Sequence, residues 1–160
     1  MKTCELKIEY VEKSHVEMTS EERVLLEKAT AAARKSYSPY SHFRVGAALL
    51  LENGEIFSGS NQENAAYPSG LCAERVTMFY ANAQYPDVAV KTLLITVLDD
   101  DDSYRKRPIP PCGACRQALL ETEFRQKSNI RIVLVGKDEI LEFSSVTDLL
   151  PFIFTGNDLL

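Results

Sequence analysis

The sequence is defined first by what it is short of. No apolar run approaches the roughly 20 residues that a membrane-spanning helix needs, so a membrane is not an expected partner. The opening stretch, MKTCELKIEYVEK, is charged throughout and carries no apolar signal-peptide core. A reducing cytoplasm is therefore the expected location. There is no internal repeat, no low-complexity tract and no Gly/Ser linker, which predicts one domain over residues 1–160 with 1–18 as a variable N-terminal arm. A basic surplus is also missing: 18 Lys and Arg face 23 Asp and Glu, for a net charge of -5. Nucleic-acid binding draws its affinity from clustered cations on phosphates, so no nucleic-acid partner is expected, and a small neutral or cationic substrate fits better. Histidine is scarce, with only His15 and His42, and neither stands at metal-ligand spacing to another donor. Cysteine is scarce too: Cys4, Cys72, Cys112 and Cys115. In a reducing compartment, cysteines at metal-like spacing read as ligands before disulfides.

What is present suffices for a globular core. A 160-residue chain buries roughly 70% of its unfolded surface. Thr19 and Glu22 form a T-x-x-E capping box, and the apolar spacing after it predicts a helix ending near Ser36. Residues 37–43, YSPYSHF, read as a turn-rich loop. Val45–Leu51 and Glu55–Gly59 flank Glu52-Asn53-Gly54, and Asn-Gly between apolar runs is a hairpin signal. Helices are predicted over Cys72–Ala83 and Cys112–Phe124, the second opening after Pro110-Pro111. Thr92–Leu98 and Ile130–Val135 read as strands, Leu141–Phe143 as a short edge strand and Ser145–Leu150 as a short helix. The tract 99–108, DDDDSYRKRP, reads as an exposed loop. Hairpin strands followed by strand–helix alternation predict a mixed sheet with helices on both faces.

The chemistry concentrates in Cys72-Ala73-Glu74 and, far downstream, Pro111-Cys112-Gly113-Ala114-Cys115. Spacing of i, i+3 puts the Cys112 and Cys115 sulfurs on one face at a helix start. Backbone N–H groups and the helix dipole favour thiolates there. A catalytic zinc takes three protein ligands and leaves a fourth position open, and three cysteines are available. Glu74 lies about 200° around a helix from Cys72. Both reach one point only if a metal sits over the helix's N-terminal end, which makes Glu74 a base beside the ligands. A closed structural zinc site stays open at this level, and would need Cys4, His15 or His42 as fourth ligand; so does a redox CxxC pair.

Four segments carry a resemblance: Tyr40-Ser-His-Phe-Arg-Val-Gly-Ala-Ala-Leu, Asn61-Gln-Glu-Asn, Cys72-Ala-Glu-Arg and Pro111-Cys-Gly-Ala-Cys-Arg. In this order and combination they resemble the small, three-cysteine cytidine deaminases, from about residue 20 onward. The resemblance implies a three-layer α/β/α domain with a mixed sheet of about five strands. It implies zinc held by Cys72, Cys112 and Cys115, one ion per chain, with Glu74 as the proton shuttle. It further implies that cytidine and deoxycytidine are hydrolysed to the uracil nucleosides in pyrimidine salvage. Three thiolates overcompensate a divalent ion, so Arg75 and Arg116, each next to a ligand, are placed to donate to sulfur. Asn61 and Glu63 match positions that hold ribose hydroxyls, and Phe43 matches an aromatic packed on the base. Homotetramers with shared active sites are implied as well. The tail Leu149-Leu150-Pro151-Phe152-Ile153-Phe154 then places Phe154 over a neighbour's site; the bland alternative packs it in its own core. Residues 1–18 and 99–108 look atypical for the family and carry no assigned role. A deaminase of another aminopyrimidine such as a blasticidin-type nucleoside, a zinc-stabilised binding module and a polynucleotide-editing deaminase are the competing functions.

Overall fold

A computed structural model describes residues 1–159. Six strands form one sheet: β1 (Val11–Lys13), β2 (Arg44–Leu51), β3 (Ile56–Ser60), β4 (Val90–Leu98), β5 (Arg131–Val135) and β6 (Ile140–Phe143). Their order is β1-β6-β5-β4-β2-β3. Only the β4–β5 pairing is parallel, because the chain between them is a helical crossover; the other pairs are antiparallel. The helices are α1 (Ser20–Ala33), α2 (Ala73–Gln84) and α3 (Gly113–Gln126).

Side chains that alternate along each strand sort the core into two halves. Ala47, Leu49, Leu93, Ile95, Ile132 and Leu134 face Met78 of α2 and Leu119 of α3. Ala48, Leu50, Leu94 and Val133 face Leu25 and Ala29 of α1. The result is three layers, as expected. The β2–β3 hairpin turns at Gly54, whose φ of 88° suits the residue without a Cβ. Close packing of α1 on β2 depends on Gly46, where a Cβ would stand 1.9 Å from the Ala29 carbonyl oxygen.

Three expectations need correction. The sheet has six strands, not about five, and β6 is not an edge: β1 pairs outside it, with Val11 opposite Glu142 and Lys13 opposite Ile140. The extra strand comes from the arm read as roleless. Three residues with two charges carry no apolar alternation to announce a strand, and what holds them is ionic. Lys13 Nζ lies 2.7 Å from Glu22 Oε1 and 2.6 Å from Glu142 Oε2. Arg131 Nη1 reaches the same two carboxylates at 2.5 and 3.3 Å. Glu22, the capping-box residue of α1, is wholly buried in this cluster. Third, the first helix ends at Ala33, three residues before Ser36.

Candidate active site

Two helix starts converge on one point. Cys72 is the N-cap of α2 and Cys112 the N-cap of α3, both with extended backbone, and neither sulfur caps its own helix. Cys115 is one turn into α3 and fully buried. Their sulfurs stand 3.7 Å apart for Cys72–Cys112 and 3.6 Å for Cys112–Cys115, and all three lie within 4.8 Å of one another. Tetrahedral bonds of about 2.3 Å to sulfur put ligands about 3.8 Å apart, so the donor set fits zinc. The thiols also disagree about their protons. Hydrogen bonding from Cys115, aided by Arg75, pulls Cys72 down to about 5, while the bond to Cys72 and burial push Cys115 up. Three sulfurs this close cannot all ionise unless a cation joins them.

Cys4, His15 and His42 are not in the cluster. Cys4 is exposed on the arm, His15 Nε2 lies 2.8 Å from the Gly136 carbonyl oxygen, and His42 stands 3.9 Å from Asp100. Among the described residues, no other group of three or more His, Cys, Asp or Glu side chains is arranged to hold a metal.

Glu74, in the first turn of α2, is 4% exposed and lines the same cleft as Cys72 and Cys112. Burial raises its carboxyl to about 6, with the negative charge on Cys72 adding to the effect. Arg75 Nη2 is 3.9 Å from the Cys72 sulfur, whereas its buried Nε has no partner. Arg116 does not reach sulfur. It donates instead to the Pro111 and Leu149 carbonyls at 2.8 and 2.6 Å, which ties the start of α3 to the turn after β6.

The cleft has a volume of about 610 Å³ and is lined by Phe43, Asn61, Glu63, Tyr67, Ile95 and Ile109 as well as Cys72, Glu74, Arg75 and Cys112. Asn61 Oδ1 accepts from Val45 N at 2.9 Å, and its Nδ2 donates to the Phe43 carbonyl at 2.8 Å. One donor and one acceptor of the amide remain free. The Glu63 carboxylate accepts from the Tyr40 and Ser41 backbone N–H groups at 2.9 and 3.3 Å and from the Ser41 hydroxyl. These bonds, the Ser41 hydroxyl first, hold its carboxyl below the usual range. Phe154 lines no part of its own chain's cleft. It is 54% exposed, and its carbonyl accepts from Gln117 Nε2 at 2.8 Å. The tail divides: Leu149 joins the core, while Phe152, Ile153 and Phe154 stay outside it. The tract 99–108 is not a free loop either, and contributes one residue that motif reading missed, Arg105, whose guanidinium carbon lies 5.3 Å from the Phe43 ring centre.

Residues 19–129 match the pattern that defines the cytidine and deoxycytidylate deaminase zinc-binding region. The chain is 37% identical over 137 residues to a cytidine deaminase of Halalkalibacterium halodurans, covering 86% of this chain and 96% of that one. It is 40% identical over 139 residues to a probable cytidine deaminase of Dictyostelium discoideum, covering 84% and 87%. The crystal structure of a cytidine deaminase from Burkholderia pseudomallei superposes with a TM-score of 0.70 at 38% identity, over 86% of this chain and all of that one. One from Mycobacterium tuberculosis gives 0.64 at 31%, over 85% and 98%. A match across the segment that holds all three clustered cysteines, together with a shared fold, places this chain in the cytidine and deoxycytidylate deaminase family.

Proposed function

We propose that this protein hydrolyses cytidine and deoxycytidine to uridine and deoxyuridine, releasing ammonia. The observation that carries the reading is a buried carboxylate, Glu74, beside three clustered sulfurs in a cleft with a polar rim. Zinc held by Cys72, Cys112 and Cys115 would supply Lewis acidity that makes water a nucleophile near neutral pH. Glu74 takes the proton from the attacking water as oxygen adds to C4 of the cytosine ring, and delivers it to ring N3. Glu74 then moves the proton left on the C4 hydroxyl to the amino nitrogen, so that the C4–N bond breaks with ammonia as leaving group and the C4 carbonyl forms. One carboxylate thus acts as base and acid in turn.

The remaining residues bind, orient and balance charge. Three thiolates and a divalent ion leave an excess negative charge, which Arg75 offsets through the Cys72 sulfur. Phe43 packs against the base. Glu63, held ionised by its hydrogen bonds, accepts from a ribose hydroxyl, and Asn61 uses its free amide positions on the sugar. Phe154 and its exposed neighbours are read as an interface. They complete the adjacent cleft in a homotetramer, since apolar groups this exposed at a chain end suit a partner surface. The 160 residues are read as one domain working in pyrimidine salvage. Three free thiols in the site suit a reducing cytoplasm.

The test is loss of cytidine absorbance on addition of the purified protein, with and without a chelator. Turnover that stops on chelation and returns with zinc supports the reading. No turnover by zinc-replete protein removes it.

A further inference from the structure

The charged connection between β4 and α3 is fastened at every turn. Tyr104 bridges to Leu98, and its hydroxyl lies 3.0 Å from Thr30 Oγ1 of α1. Asp102 takes Arg44 at 2.7 Å and Arg34 at 3.2 Å. The turn after β5 presses against it, where a Cβ on Gly136 would stand 2.6 Å from the Pro108 nitrogen. Arg105 is pinned on both sides: its N–H donates to the Val97 carbonyl at 2.9 Å, and its carbonyl accepts from Lys137 N at 2.7 Å. From that fixed backbone its side chain reaches back toward the cleft. Nε lies 2.9 Å from Asp99 Oδ1, and the guanidinium covers the Phe43 ring.

Phe43 needs such a partner. Its backbone is held to the polar rim, the carbonyl by Asn61 and the N–H by the Ser41 hydroxyl, but the ring is only half buried. A half-buried ring loses rotamer freedom when a ligand stacks on it, and a group that fixes the ring beforehand removes that cost. We propose that Arg105, oriented by Asp99, is a positioning residue that holds the Phe43 ring as the aromatic wall of the substrate cleft. This rests on the deaminase reading of that cleft. The contact is with ground state and transition state alike, because the base lies against the ring in both. Its loss therefore acts on KM and leaves kcat in place.

The test is steady-state cytidine hydrolysis by the zinc-loaded protein in a double-mutant cycle. Arg105→Met keeps the stem and loses the charge; it should raise KM about threefold, the worth of an exposed cation–π contact, without a matching fall in kcat. Arg105→Lys should recover most of that loss. In a Phe43→Ala background, Arg105→Met should leave KM where it was. An unchanged KM in the single variant, or an equal rise in both backgrounds, overturns the proposal. Should Arg105→Met fail to fold, Asp99→Asn frees the guanidinium without altering it, and must also raise KM. If the wild-type protein turns over no cytidine, the deaminase reading fails by itself and the brace is judged on urea midpoints. Shifts for Arg105→Met and Phe43→Ala that simply add would then overturn it, and a double-variant shift smaller than the sum sustains it.

Discussion

Two charge clusters, each built around a buried carboxylate, lie on opposite faces of the sheet, and they differ in how they balance. On the α1 face, Glu21, Glu22 and Glu142 meet Lys13, Lys91 and Arg131, three anions for three cations, with every short contact satisfied from within the chain. At the helix starts, Cys72, Cys112, Cys115 and Glu74 meet one cation, Arg75. Burial alone would push Glu22 up, but Lys13, the Thr19 N–H and Arg131 outweigh it and hold its carboxyl at about 2. Glu74 has no such partners, and burial takes it the other way, to about 6. A cluster closed on itself contributes stability. One left short of positive charge is built to receive a cation, and its strained titration marks the place where chemistry is expected.

The contrast breaks first at Glu74. Glu74→Gln should keep its zinc and lose about 10²–10⁴-fold in kcat, since an amide cannot take the proton from water. Near-normal turnover in a zinc-replete variant would remove the carboxylate from the mechanism. Unfolding of this variant should not be easier, because the amide relieves a buried group of its charge.

Metal removal separates the clusters next. Zinc analysis should give one ion per chain. Chelation should lower stability by about 4 kcal/mol relative to free zinc at a thousand times its Kd, read as a fall in Tm. Cys4→Ala, His15→Ala and His42→Ala should all retain the ion; loss of zinc in any of them would reopen the four-ligand site.

The self-balanced cluster has its own signature. Glu22→Gln should cost about 3 kcal/mol, because Lys13 is left with Glu142 as its one partner and Arg131 with Glu142 and the more distant Glu21, while KM and kcat stay as they were. The pH dependence follows from the lowered carboxyl. Its contribution is complete above about 4.5, the unfolded value, and disappears as pH falls toward about 2. Urea midpoints of the wild-type protein should therefore drop through that window more steeply than those of Glu22→Gln. Parallel curves would show that the cluster does not stabilise the fold.

A smaller effect concerns the tail. Phe154→Ala should raise KM about fivefold, the equivalent of about 1 kcal/mol of aromatic contact, with circular dichroism unchanged. A protein that sediments as a monomer and still works at full rate would show that the cleft needs no neighbour.

Residue spacing by itself determined the parts of this protein whose partners are close in sequence. Thr19 and Glu22 cap α1, Asn53-Gly54 turns the hairpin, and cysteines at i, i+3 mark the start of α3, because turn and cap energies act over three or four residues. The gathering of Cys72 with Cys112 was legible only because the motifs are distinctive. Nothing local links residues 40 positions apart. The three-dimensional fold decided what depends on distant partners. Lys13 meets Glu142 across 129 positions, which makes a sheet edge of an arm with no apolar pattern. Arg116 turns from sulfur to the Leu149 carbonyl, Asn61 is half spent on the backbone it neighbours, and Arg105 lands on Phe43. Charges and amides carry no periodicity that points to a partner, so their pairing is settled only when packing brings them within a few ångströms and removes the water between them.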